Sequence, residues 1–192
     1  MEWLCLDFLN SDYRNWRGSG ERVDRLNQPE WWQKFSRKWI LDLPMPTEPA
    51  VIAALTELRN YMRRVTEAVA ARQAPDEQDL AGINRIAASV PTYRRLVFDP
   101  EAQYQVQEVV LGEGWEGLMG KILSSFGDLL TKGDPRRLKI CENPNCLWVY
   151  YDESRNRSSR WCEDKTCGNL MKVRRFRERQ KQKGGGAAEG ED

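Results

Sequence analysis

The sequence predicts an α+β chain in two parts: a mostly helical N-terminal domain with a β-hairpin over residues 1–135, and a small four-cysteine module over residues 136–183 that ends in a basic helix. Three observations predict it. Apolar residues recur at helical spacing through most of the first part. Two apolar-rich segments bracket an Asp99-Pro100 turn, as the strands of a hairpin do. Four of the five cysteines form two matched pairs, Cys141-x4-Cys146 and Cys162-x4-Cys167, beyond a break at Asp134-Pro135.

Taken in order, Trp3 to Asn10 is a short buried element whose apolar residues nearly surround one Asp and one Asn. Gly18-Ser19-Gly20 is a flexible break. Asn27 is placed to cap a helix that Pro29 and Glu30 open, with Trp32, Phe35 and Trp39 at helical spacing. Leu43-Pro44-Met45-Pro46 ends it. Thr47 caps the next helix, Glu48 and Pro49 open it, and Val51, Leu55, Leu58, Met62, Val65 and Val69 stripe it. Pro75, Asp76 and Glu77 start another, with Leu80, Ile83, Ala87 and Val90 as its apolar positions. Arg94 to Phe98 and Tyr104 to Val110 are the hairpin strands. Leu118, Ile122, Phe126 and Leu129 mark a helix that ends near Gly133. The glycine-rich acidic stretch 184–192 is expected to be disordered.

Composition excludes several functions. No apolar run approaches the ~20 residues that span a bilayer. Histidine is absent, which removes Ser-His-Asp and Cys-His catalysis, His-ligated catalytic zinc and imidazole pH switching. In the N-terminal part no nucleophile is paired with a base, Gly112-Glu113-Gly114 is too short to cradle a phosphate, and the apolar setting of Cys5 raises its pKa. The chain is not expected to be an enzyme.

The net charge of +1 hides a polarised chain. Residues 136–183 carry 14 Lys+Arg against 6 Asp+Glu, residues 1–135 carry 16 against 20, and the final nine residues add three acids. A basic module on an acidic body points to a polyanionic partner.

Two short Cys-to-Cys loops at equal spacing are what a tetrahedral thiolate site needs, each offering two sulfurs to one ion. The competing assignment is two disulfides in an exported domain. The odd cysteine count and the lack of a basic-then-apolar leader argue against it, so a cytoplasmic protein with one structural Zn2+ on Cys141, Cys146, Cys162 and Cys167 is expected. Pro144 with Asn143 and Asn145 suits a turn that aims backbone N–H groups at the sulfurs. Leu147 to Tyr151 is β-like, the link 152–160 is polar and arginine-rich, and a helix follows Gly168-Asn169 with Leu170, Val173 and Phe176 facing inward. That layout is treble-clef-like. Arg155, Arg157 and Arg160 of the link, with Lys172, Arg174, Arg175, Arg177 and Arg179 of the helix, are the candidate nucleic-acid contacts, because the guanidinium fork matches phosphate.

Asp152-x-Ser154-Arg155-Asn156-Arg157-Ser158-x-Arg160-Trp161-Cys162-x4-Cys167-Gly168-Asn169, followed by Lys172-Val173-Arg174, resembles the CGNR zinc finger. Leu4-Cys5-Leu6-Asp7-Phe8-Leu9-Asn10-Ser11 resembles the Leu-Asp-Phe-x-Asn-Thr opening of the ABATE domain, which precedes this finger in bacterial proteins proposed as stress-induced transcription regulators. One departure stands out: Leu170 occupies the place of the signature arginine. The resemblance implies a DNA-binding zinc module tied to a domain that senses a small molecule, and the N-terminal domain is expected to bind an effector or a second copy. Asp7 and Asn10, with Arg14 on the following loop, are the candidate effector contacts. The alternative is a zinc-dependent RNA- or protein-binding adaptor without sequence-specific DNA recognition.

Overall fold

The computed structural model describes residues 2–101 and 103–185. Of the tail expected to be disordered, 186–192 lie outside the described residues, whereas 184 and 185 complete the last turn of the terminal helix.

The opening apolar stretch folds as α1 (Leu4–Leu9), whose Cys5 and Phe8 are completely buried. Six residues hold a helix because α1 is covered by the later helices and by a C-terminal strand. Then β1 (Asp12–Arg14) and β2 (Arg22–Asp24) pair antiparallel around the Gly18–Gly20 break, Tyr13 opposite Val23. Three-residue strands are too short to leave a period-2 pattern, and the sequence did not announce them.

Two predicted caps move. Asp24 caps a 3₁₀ turn at Arg25–Asn27 by accepting from the Leu26 N–H, so Asn27 lies inside that turn and Gln28 precedes α2 (Pro29–Trp39). Glu48, not Thr47, stands before α3 (Pro49–Ala70), since the residue ahead of a proline is driven to extended backbone. Neither position donates or accepts a side-chain cap bond.

The α3 stripe is buried at Leu55, Leu58, Met62 and Val65, with Val51 and Val69 partly buried at its ends. In α4 (Glu77–Ala88) the buried positions are Asp79 and Gly82, and Leu80 is exposed. Gly82 decides that register. A β-carbon there would come within 2.5 Å of the Tyr61 ring on α3, so the helices meet at a ring-on-glycine contact.

β3 (Thr92–Asp99) and β4 (Gln103–Val110) form the expected hairpin, Leu96 opposite Val106, and it projects from the body with both faces largely exposed. α5 (Gly114–Thr131) returns to the core through Leu118, Ile122, Phe126 and Leu129. A cation is buried beside these side chains. Arg59 is 1% exposed and binds both oxygens of Asp24 (2.7 and 2.6 Å) and the Ser11 hydroxyl (2.8 Å).

The core does not stop at residue 135. β5 (Leu138–Ile140) and β6 (Val149–Tyr151) pair antiparallel, and their shared apolar face, centred on Leu138 and Val149, is buried in the same cluster as α1 and α3. The cysteine module is thus grafted onto the N-terminal core through its own hairpin.

Candidate metal centre

The first knuckle grows from the open end of this hairpin. The Cys141 N–H donates to the Trp148 carbonyl at 2.8 Å, closing the strands. Within the loop the Cys146 N–H donates to the Asn143 carbonyl (2.8 Å) and the Asn145 N–H to the Asn143 side-chain oxygen (3.1 Å). Leu147 takes a left-handed conformation (φ 54°). The Asn143 N–H donates to the Cys141 sulfur and the Trp148 N–H to the Cys146 sulfur, each two residues past its cysteine. These are the sulfur-directed amides the turn chemistry predicts.

The second knuckle explains its Cys-Gly-Asn signature. Asp164–Gly168 makes one wide turn, and a β-carbon on Gly168 would approach Asp164 Oδ1 at 3.0 Å and the Trp161 ring at 3.1 Å. Asn169 Nδ2 donates to the Lys165 carbonyl at 3.2 Å, holding the turn as α6 (Asn169–Gly185) begins. Trp161 is buried against the cysteines, with the Arg160 and Arg175 guanidiniums over its ring at 5.2 and 5.4 Å.

The four sulfurs lie within 4.8 Å of one another, Cys146 and Cys162 at 3.8 Å, and none is in a disulfide. Zinc–sulfur bonds of ~2.3 Å in a tetrahedron put sulfurs about 3.8 Å apart, so the set fits one Zn2+. The thiols alone oppose one another. Hydrogen bonds from Cys146 and Cys162 hold the Cys141 thiol well below the ordinary range, and facing that thiolate pushes Cys146 and Cys162 up. Four thiolates coexist there only around a cation. Cys141, Cys146 and Cys167 are buried and Cys162 half-buried. Four ligands close the coordination sphere, so the ion is structural and has no open position for water.

Polar groups around the centre tie it to both neighbours. Asn143, fully buried, donates to the Cys167 sulfur (3.4 Å) and to the Trp16 carbonyl (3.1 Å). Asn145 Nδ2 donates to the Gly18 carbonyl (2.6 Å), so the β1–β2 loop seats the first knuckle. The link is held by Lys139 and Asp152. Lys139 Nζ reaches Asp152 (2.6 Å) and the carbonyls of Arg157 and Ser159, while Asp152 accepts from the Ser154 and Ser159 N–H groups, both at 3.0 Å. Burial opposes the Asp152 charge, but Lys139 and Ser154 override it and hold the carboxyl far below its usual range. Sequence reading missed this knot. Its one signal is a lysine inside an apolar strand, two residues before the first cysteine.

The candidate nucleic-acid residues divide. Arg157 pairs with Asp134 (3.2 Å) and Arg160 with Glu142, which partly neutralises both. Arg155, Lys172, Arg175, Arg177 and Arg179 are exposed, and Arg174 is half-buried beside Met171. None of these six makes an ion pair among the described residues. Val173 (46% exposed) and Phe176 (56%) do not face inward as expected. Met171, one position on from Leu170, packs on the cysteines instead and turns that stripe outward.

A family profile for the CGNR zinc finger matches residues 137–180, and the ABATE profile, "Putative stress-induced transcription regulator", matches residues 2–133. The second covers well over half of the chain. The chain belongs to the ABATE family. No curated protein matches it closely enough to lend it a function.

In this ABATE protein the opening motif sits at the seam with the finger. Asn10 is 4% exposed, and its carboxamide donates to the Val149 carbonyl and accepts from the Val149 N–H, both at 2.8 Å. It pairs the outer edge of β6 as a neighbouring strand would. Asp7 accepts from Trp39 Nε1 (2.9 Å) and pairs with Lys38 (2.7 Å). The two line a small cleft of about 200 Å³, of which Arg14 is not a part. Among the described residues no helix is long and apolar enough to cross a membrane.

Proposed function

We propose that this ABATE protein is a cytoplasmic, DNA-binding transcription regulator in which zinc fixes the base of α6 and α6 carries the contact with the duplex. One observation supports the reading above the rest: a rigid metal knuckle ends directly in a solvent-exposed helix whose basic side chains have no acidic partners among the described residues. Arginine forks suit phosphate, and a few such side chains along a groove reach base edges while the others hold the backbone. Arg155 is a further exposed cation on the link, whereas Arg157 and Arg160 serve mainly the finger's own fold.

The test is the salt dependence of binding by the zinc-loaded protein to a mixed-sequence duplex. Each phosphate neutralised contributes about −0.9 to the slope of log K against log salt. Replacing Arg175 and Arg179 with alanine should flatten that slope by about two. Absence of binding at low salt, or an unchanged slope, refutes the reading.

A second reading, a protein-binding adaptor, is favoured by the exposed Val173 and Phe176 and by Leu170 at the signature arginine. A basic helix with an apolar stripe fits an acidic amphipathic partner. Competition separates the two: duplex DNA displaces a shared partner only in the first.

A second candidate effector site is the cleft where the β1–β2 hairpin meets the knuckles; its volume of about 520 Å³ includes the metal position at Cys146, Cys162 and Cys167, which leaves an effector the side formed by Tyr13, Trp16, Arg25 and Trp148. Arg25 lies 3.9 Å from the Tyr13 ring centre, and burial lowers its pKa. A compound that raises the Tm of the wild type but not of Trp148→Ala places the effector there. No catalytic role is assigned. Burial pushes the one cysteine outside the metal set, Cys5, up to about 12, which leaves it an inert thiol.

A further inference from the structure

One side of the β3–β4 hairpin turns a continuous apolar surface to solvent. Residues directly opposite in an antiparallel pair share a face, so Arg94 with Glu108, Leu96 with Val106 and Phe98 with Tyr104 form three successive rows on one side. The T-shaped contact of Phe98 and Tyr104, ring centres 5.2 Å apart, confirms that this row lies together. Leu96, Phe98, Tyr104 and Val106 are 68%, 59%, 71% and 60% exposed. The other side is mixed: the Arg95–Gln107 pair and Gln105 lie among Tyr93, Val97 and Val109, of which both valines are half-buried. The first side is the one with two consecutive all-apolar rows, and the chain leaves both of them bare.

The face is its own complement. Counting from the central row, Arg94 and Phe98 are equidistant on β3, and Glu108 and Tyr104 are equidistant on β4. The base of the same face is closed by α5, where Gly120 admits Val110 so closely that a β-carbon would come within 2.8 Å. Two copies therefore cannot stack base on base. Turned about an axis across the strands at the Leu96–Val106 row, they stack with tips pointing opposite ways. Leu96 then meets Leu96 of the second copy, each Arg94 lies over a Phe98 ring, and each Glu108 meets a Tyr104 hydroxyl. Neither Arg94 nor Glu108 is ion-paired among the described residues. Beside the base of each arm lies a groove of about 370 Å³, lined by Thr92, Glu108, Gly120, Ser124 and Gly127.

We propose that this face is a homodimer interface in which the β3–β4 arms of two copies pack antiparallel about a two-fold axis at Leu96. The four apolar side chains alone offer on the order of 500 Å² per copy. With Arg94 and Glu108, this approaches the ~800 Å² per partner of a specific interface. The proposal is independent of DNA binding.

The test is sedimentation equilibrium of the zinc-loaded full chain, with Leu96→Glu and Leu96→Lys measured separately and mixed. Leu96 is largely exposed, so zinc content and far-UV spectra check that both variants remain folded. The wild type should be a dimer. Each variant alone sets like charges against each other on the axis and should dissociate about tenfold more readily or worse. The equimolar mixture should recover a heterodimer. A monomeric wild type, or either variant dimerising as tightly as wild type, overturns the interface. A mixture that stays monomeric overturns the antiparallel arrangement.

Discussion

Asn10→Ala tests whether the N-terminal domain and the finger fold as one body. The carboxamide makes two 2.8 Å bonds to the backbone of Val149, itself 1% exposed, so water cannot replace them. Each buried bond is worth about 1 kcal/mol net, and each orphaned backbone group about 1–3 kcal/mol. The substitution should therefore cost about 2–5 kcal/mol. With an m-value of about 2 kcal/mol per molar urea, the midpoint of the zinc-loaded protein falls by about 1–2.5 M. Urea titration followed by near-UV dichroism reads this, since Trp3 and Tyr151 sit across the same seam with ring centres 6.2 Å apart. Asn10→Asp should not rescue, because it replaces the donor facing the Val149 carbonyl with an acceptor. A midpoint within about 0.25 M of wild type would refute the strand-like role of Asn10.

Three further outcomes follow from the same geometry. Stripping zinc with a chelator should expose the amides of both knuckles and of α6 to hydrogen exchange while β5 and β6 stay protected. Four thiols should then react with a thiol reagent and Cys5 should not; exchange spreading through β5 and β6 would contradict the shared core. Arg59→Met leaves the Asp24 carboxylate without its buried partner and should cost about 3–5 kcal/mol by urea titration. Burial raises the Asp24 pKa, but the Arg59 bonds outweigh it and the net shift is downward, so its contribution is complete above about pH 4 and fades as pH falls through the folded value. Acid unfolding by tryptophan emission should be steeper below about pH 4 in wild type than in Asp24→Asn, and parallel curves would reject this. Ile40→Gly should stabilise by about 1 kcal/mol, since Ile40 ends α2 at φ 51° and is 92% exposed; a lowered Tm would show that strain there is absent.

Much of this was legible in the sequence because the informative signals were local. Helical stripes on α2, α3 and α5 follow from spacing alone, and the cysteine pairs carry their own geometry: a return with four residues between the cysteines presents two sulfurs whatever lies around it. Local signals failed where a partner decided the outcome. Leu80 fits a helical stripe, but the Tyr61 ring resting on Gly82 turned α4 away from it. Val173 and Phe176 read as inward residues, yet Met171 reached the cysteines first.

The sequence by itself determined the ligand set, the longer helices with the β3–β4 hairpin between them, and the basic character of the terminal helix, since each rests on residues near one another in the chain. Only the tertiary structure decided that Asn10 of the opening motif pairs with Val149, that Lys139 and Asp152 tie the link, and that Arg157 and Arg160 are engaged by Asp134 and Glu142. These contacts join positions from 13 to 139 residues apart. A hydrogen bond or ion pair across such a span leaves no periodic trace, because it depends on where packing places two groups and not on their spacing along the chain.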